Sequence, residues 1–446
     1  MGPPVKDGNQ RRSNVSTPWQ AVGARAGVSI RRARTYGFVF LAAGLSIFLL
    51  FAWGLPAGQT TTFVLHPGGA SQAIPIPDLT LPSQTTLYIL ALLCVFLGGW
   101  QLARGFRRVN LVLGLIAGAF VIAFLTWAAS GKSFNLTGLL NSALLRAVPI
   151  ALAGLSGVLC ERCAVINIAI EGMMLTGAFV AALMGSVAAN VWKWPAPASL
   201  TFGLVSALMA GALLGLLLAV LAVRFKVDQI IAGTAINILA TGITSFLSAR
   251  ILAEFQYLNN PGIFRPISLP LFSKIPIIGP VVFEQNILVY VMFVLLAAVH
   301  IMLFYTRWGL RTRAVGEHPR AADTLGVNVF RTRYINVTLG GMVAGLAGAF
   351  LILGSVGRFD ELMTAGKGFI GLAAMIFGKW TPFGAFGAAL IFGFADALQT
   401  KLAILAVPIP SQFLLMAPYL VTMIVLAGVI GEAIPPAADG QPYEKQ

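Results

Sequence analysis

Residues 110–130 read NLVLGLIAGAFVIAFLTWAAS, a run without one charged side chain. Roughly 20 helical residues cross a bilayer core, and only a helix or a closed barrel satisfies every backbone group there. Arg104, Arg107 and Arg108 precede the run and Lys132 follows it, so charge marks both ends. Working outward, similar runs occupy 37–54, 87–103, 136–160, 164–188, 199–223, 228–253, 284–305, 334–355, 383–401 and 412–430. A shorter, glycine-rich run at 367–380 reads as a half-helix or re-entrant piece. The pattern is that of an all-α polytopic membrane protein with about 10–12 transmembrane helices.

Composition agrees. The 446 residues are 58% hydrophobic and 10% charged, against about 25% charged in globular chains. Disorder, collagen and an ordinary soluble enzyme are excluded. The net charge of +15 would suit nucleic acid. The basic residues, however, sit in short clusters between apolar runs, as cytoplasmic loops do, and no nucleic-acid partner is expected. Cys94, Cys160 and Cys163 make no disulfide framework. The Cys160-x-x-Cys163 pair lacks the further ligands of a zinc site, so these read as buried thiols at a helix end, with no metal. Gly366-Lys-Gly-Phe-Ile-Gly371 spells a dinucleotide fingerprint but has no strand before it and no βαβ unit around it. Gly131-Lys132-Ser133 resembles the end of a phosphate-binding loop, yet Thr126 stands where its first glycine belongs, so no ATP site is expected in this chain.

Lys6, Arg11, Arg12, Arg25, Arg31, Arg32 and Arg34 place residues 1–35 in the cytoplasm as a basic tail. The first apolar run lacks a small-residue cleavage site and reads as a retained helix. Residues 55–86 contain no Lys or Arg and lie outside, and their Thr and Pro content suits some extended structure. Alternation then returns Arg224, Lys226 and the cluster Arg307, Arg311, Arg313, Arg320, Arg331 and Arg333 to the cytoplasm, with both termini inside. The expected divisions are an extension of two helices and an outer loop (36–109), a main transmembrane domain (110–430) and a cytoplasmic C-terminal tail (431–446). Gly114-x-x-x-Gly118, Gly211-x-x-x-Gly215 and Gly341-x-x-x-Gly345 have the spacing of close helix approach.

Ionisable side chains within spans are costly and face a cavity or a partner. Three stand out: Arg146, Glu171 and Asp396. Glu171 follows Asn167 by four residues, which on a helix gives one face continuing through Met174 and Ala178. That face either meets a water-filled cleft, or Glu171 or Asp396 pairs with Arg146 between helices. A second informative stretch is RWGLRTRAVGEHPRAADTLGV, residues 307–327. Gly316 marks a turn, Pro319 suits a first helical turn, and Gly326 ends the Arg320–Leu325 helix in the left-handed conformation. So short a helix is marginal alone and must be held by the membrane surface, the bundle or a docked subunit.

Three stretches, Val165–Phe179, Gly309–Val327 and Gly366–Gln399, occur in an order that resembles the permease subunits of bacterial ABC importers. The superfamily is that of the branched-chain amino acid and ribose permeases, in its nucleoside and simple-sugar branch. The resemblance implies a type II-like import bundle in the bacterial inner membrane that moves a small solute by alternating access. It implies a second permease subunit (the same chain or a paralogue), a cytoplasmic ABC ATPase carrying the ATP and Mg, and an extracytoplasmic solute-binding protein. The chain itself would carry no cofactor and do no covalent chemistry. Gly316, Glu317, Pro319, Arg320, Ala321, Ala322, Asp323 and Gly326 would form the coupling loop that contacts the ATPase. Asn167, Glu171, Gly172 and Met174 would lie in the signature helix along the path. Small departures are Ala169 for a frequent glycine, and His318 and Thr381 for frequent asparagines. The rival reading is a proton-coupled secondary transporter using Glu171 or Asp396. An enzyme is disfavoured because His66, His300 and His318 fall in three separate regions.

Overall fold

The computed structural model describes residues 30–65, 77–405, 407, 413, 416 and 433–445. The chain divides into two compact units, one of residues 1–65 and 77–135, the other of 66–76 and 136–446.

In the first unit, α1 (Ile30–Ser46) loosens into a π turn at Ile47–Ala52, and α2 (Ser83–Ala103) and α3 (Val109–Ala128) complete a three-helix cluster. The Phe51 ring packs against Phe120, Phe124 and Trp127 of α3. Glycines let α1 and α2 touch: a Cβ on Gly98 would lie 2.8 Å from the Leu41 amide. The outer segment does contain extended structure. β1 (Thr60–Val64) pairs antiparallel with β2 (Leu79–Pro82) and parallel with β3 (Ser133–Asn135), and the Thr61 hydroxyl donates to the Thr126 carbonyl at 2.9 Å. This compact unit runs to residue 135, past the division expected at 110: α3 packs its rings on Phe51 and the strand after it joins β1 and β2, so the unit holds three apolar helices.

The second unit contains α4 (Leu136–Glu161), α5 (Ile170–Ser186), α6 (Ala196–Ala219), α7 (Gln229–Leu247) and α8 (Ile287–Tyr305). It continues with α9 (Arg307–Glu317), α10 (Pro319–Thr324), α11 (Val329–Leu351), α12 (Lys367–Phe377) and α13 (Pro382–Ile404). A small hairpin pairs β4 (Pro266–Ser268) with β5 (Glu284–Asn286). α4 and α11 form the centre: their most apolar windows are 89% and 78% buried, against 28% for the α6 span. Gly341 and Gly345 of α11 sit against Gly211 and Gly215 of α6, and Gly348 against the Met174 carbonyl of α5. Such backbone contact is what stabilises helices in lipid, where no hydrophobic gain separates helix from solvent. Gly114 and Gly118, with the same spacing, have open space beside them.

Helix starts follow from the local sequence. Asp228 caps α7, Asn286 α8, Thr306 α9, Asn328 α11 and Thr381 α13, each accepting from an amide of the first turn. Thr381 thus keeps the capping role open to the asparagine common at that place. Among the described residues, ten helices are long and apolar enough to cross a membrane, and α12 is the short piece the sequence suggested. The expected span 412–430 lies outside the described residues apart from Phe413 and Met416.

Candidate functional site

The loop singled out by sequence lies at one end of the second unit. α10 starts with Pro319 in its first turn, and Gly326 closes it with φ +81° and an amide bonded to the Asp323 carbonyl at 2.9 Å. Gly316 does not make the expected turn. α9 stays helical through Glu317 and the chain bends at His318, while Gly316 lies against the Arg162 carbonyl where a Cβ would not fit. Ala322 is buried, while Glu317, Arg320, Ala321 and Gly326 are exposed.

The C-terminal segment braces this loop. The Ala438 amide donates to the Gly316 carbonyl at 3.0 Å and the Ala437 amide to Glu317 Oε2 at 3.2 Å. Tyr443, 6% exposed, sets its ring tilted against Phe330 with 5.4 Å between centroids, and burial pushes its hydroxyl pKa up, with Asp323 of α10 adding to the rise. Arg333, 1% exposed, donates to the Gln441 carbonyl at 3.0 Å. Lys226 pairs with Glu444. Burial pushes the Asp439 carboxyl up to about 6, and its Oδ1 is buried without a hydrogen-bond partner among the described residues. Sequence reasoning missed this arrangement. The sequence shows Arg333 only as part of a cytoplasmic basic cluster, and a short polar tail carries no periodic signal.

Glu161, 6% exposed, accepts from Trp380 Nε1 of the α12–α13 turn at 2.6 Å. Lys379 and Trp380 both have positive φ, 52° and 51°, a conformation costing roughly 1–2 kcal/mol per non-glycine residue. Arg162 holds the turn, its Nε donating to the Trp380 carbonyl at 2.8 Å and its Nη2 to that of Lys379 at 3.3 Å. Cys160 and Cys163 beside it are free, buried thiols.

Within the spans, Arg146 and Asp396 form an ion pair at 2.8 Å between α4 and α13, each side chain about a third exposed. This is the interhelical pair that the sequence allowed. Glu171, half-buried, does not take part in that pair. Its Oε1 accepts from the Gly366 amide at 2.8 Å and its Oε2 from the Gly368 amide at 2.7 Å, so it caps the start of α12. Asn167 and Glu171 do not share a helix face. Ala164 turns the chain with φ +65°, residues 165–167 are not helical, and α5 begins only at Ile170. Asn167 is fully buried, donating to Cys160 Sγ at 3.3 Å, and Met174 is fully buried against Gly348. Gly172 donates to Asn237 Oδ1 at 2.8 Å, and Asn237 returns a bond to the Ile168 carbonyl. A lone asparagine in the apolar run of α7 was the available signal for that tie.

The family described as branched-chain amino acid transport system, permease component, matches residues 139–430. The chain belongs to this permease family. It is 41% identical over 305 residues to the guanosine ABC transporter permease protein NupQ of Bacillus subtilis, covering 68% of this chain and 95% of that one. It is 40% identical over 310 residues to the nucleoside ABC transporter permease protein NupC of Lactococcus lactis, with the same coverage. It is 34% identical over 264 residues to the putative glucose ABC transporter permease protein TsgC13 of Haloferax volcanii, covering 59% of this chain and 77% of that one. This ABC permease is thus a multi-pass membrane protein, and ATP hydrolysis belongs to a separate subunit. The match covers the second unit from α4 onward and leaves the three-helix unit outside it.

Proposed function

We propose that the chain is the membrane subunit of an ATP-driven importer of nucleosides or closely related sugar-containing solutes. It would sit in the bacterial inner membrane with both termini in the cytoplasm, paired with a second permease, a cytoplasmic ATPase holding ATP and Mg, and an external solute-binding protein. The observation that carries the reading is the bracing of the chain just before α10 by the C-terminal segment, through Gly316 and Glu317, within a chain of this family. With Ala322 buried and its other five residues exposed or half-buried, a helix seated this way forms a lever, whereas a loose loop would dissipate a push. Closure of the ATPases displaces α10 together with the tail. The displacement passes from Gly316 to Arg162, against whose carbonyl it packs, to the Trp380 turn that Arg162 holds, along α12 to its start at Glu171, and so into α5. Arg146 and Asp396 are paired and Glu171 is a cap, so the carboxylates needed for proton coupling already have structural duties.

The test is uptake of radiolabelled guanosine into proteoliposomes holding the permease, its ATPase and its binding protein. Uptake is expected only with ATP inside the ATPase-facing compartment. Uptake by the permease alone under a pH gradient would overturn the reading.

A further inference from the structure

Two hollows of different chemistry lie end to end along one stripe of α11. The first, about 450 Å³, is lined by Trp308 and Arg311 of α9, and by Asn328, Arg331, Thr332 and Ile335. The second, about 330 Å³, is wholly apolar, with Val299 and Met302 of α8 facing Leu339, Met342 and Leu346 of α11. Positions 328, 331, 332, 335, 339, 342 and 346 recur every three or four residues and therefore fall on one helix face. From Ile335 to Leu346 the rise is about 16 Å at ~1.5 Å per residue, close to one leaflet of a hydrocarbon core about 30 Å thick.

We infer that these hollows together form a binding site for one anionic phospholipid, its phosphate head between Arg311 and Arg331 and an acyl chain in the groove between α8 and α11. Neither arginine makes an ion pair among the described residues, and no carboxylate lines the first hollow. Two unneutralised guanidiniums attract a phosphodiester, while the absence of an acid leaves nothing to receive the ammonium of a zwitterionic headgroup. Trp308 at the junction is the residue type that settles at headgroup level. The apolar groove excludes a free anion as the whole occupant. The adjoining Gly326 and Val327 follow α10 directly, so a bound lipid would stiffen the far side of the lever.

The test titrates delipidated full-length permease with dioleoylphosphatidylglycerol or dioleoylphosphatidylcholine and counts retained lipids by native mass spectrometry. Phosphatidylglycerol is expected to bind and phosphatidylcholine to bind far more weakly. Arg311→Gln with Arg331→Gln should weaken phosphatidylglycerol roughly 30-fold, from about one headgroup attraction per arginine, and the double Lys variant should restore it. Met342→Trp, which fills the groove, should also displace the lipid. Equal retention of the two lipids, an unchanged double Gln variant, or full displacement by inorganic phosphate would overturn the proposal. So would a Met342→Trp variant that dissociates a permease dimer yet keeps the lipid, since the groove would then belong to a second copy.

Discussion

Two helices of the second unit are too short to stand alone, and they are held by opposite means. α10 has six residues and α12 eleven, below the roughly 12–15 at which isolated helices become even marginal. In the bundle, α12 is secured by one carboxylate: Glu171 accepts from the amides of Gly366 and Gly368, groups that lipid could not satisfy. The other, α10, is secured by a length of chain, residues 437–443, bonded to Gly316 and Glu317 just before it and placing Tyr443 beside Asp323. The comparison teaches that a cap suffices where the surroundings are dry and closely packed, because an unmet amide there is costly. At a wet surface each bond is weak by itself, and several must act together along a segment that can move as one body.

The largest effect is expected at α12. Glu171→Leu takes the partner from the amides of half-buried Gly366 and buried Gly368, at about 1–3 kcal/mol for the buried one, so the thermal midpoint in detergent should fall. Glu171→Gln, with one acceptor left, should fall less. Equal midpoints for the two variants would break the contrast.

Next is removal of residues 433–446. The bundle should remain folded by tryptophan fluorescence and size exclusion, while ATP-driven uptake drops at least tenfold because the chain before α10 loses its brace. Smaller again is Tyr443→Phe, which removes one hydroxyl from beside Asp323. Its uptake should fall a few-fold, with the midpoint unchanged. An effect as large as the truncation would mean that one contact, not the segment, holds α10.

The smallest effect is a pH dependence of the tail. The Asp439 carboxyl is raised from 3.8 to about 6 by burial beside Glu161. A raised acid binds its proton more readily in the docked state. Its contribution is therefore full below about pH 3.8 and lost as pH rises through about 6. Limited proteolysis of the tail should quicken across that interval, and Asp439→Asn should flatten the change.

The spans were legible because lipid demands long apolar helices, and the sequence displays them directly. So was α10: Pro319 and Gly326 bracket it in the chain as in the fold. The pairing of Arg146 with Asp396 could be anticipated because ionised groups in lipid need partners. The cap made by Glu171 could not be read. Spacing to Asn167 assumes a helix, and the positive φ of Ala164 breaks that assumption without a glycine to announce it. The boundary near 136 was hidden because α3 resembles every other span, and only its aromatic contacts with Phe51 assign it. The tail was invisible because its bonds use backbone groups and partners more than 100 residues away.

The most direct measurement is ATP-driven guanosine uptake by proteoliposomes containing the complete transporter with Asp323→Lys in this chain. Asp323 is half-buried at the rim of α10, so the variant should keep its thermal midpoint, while uptake falls at least tenfold as the proposed lever reverses a charge. Normal uptake by that stably folded variant would contradict the assignment of α10 as the element through which ATP is felt.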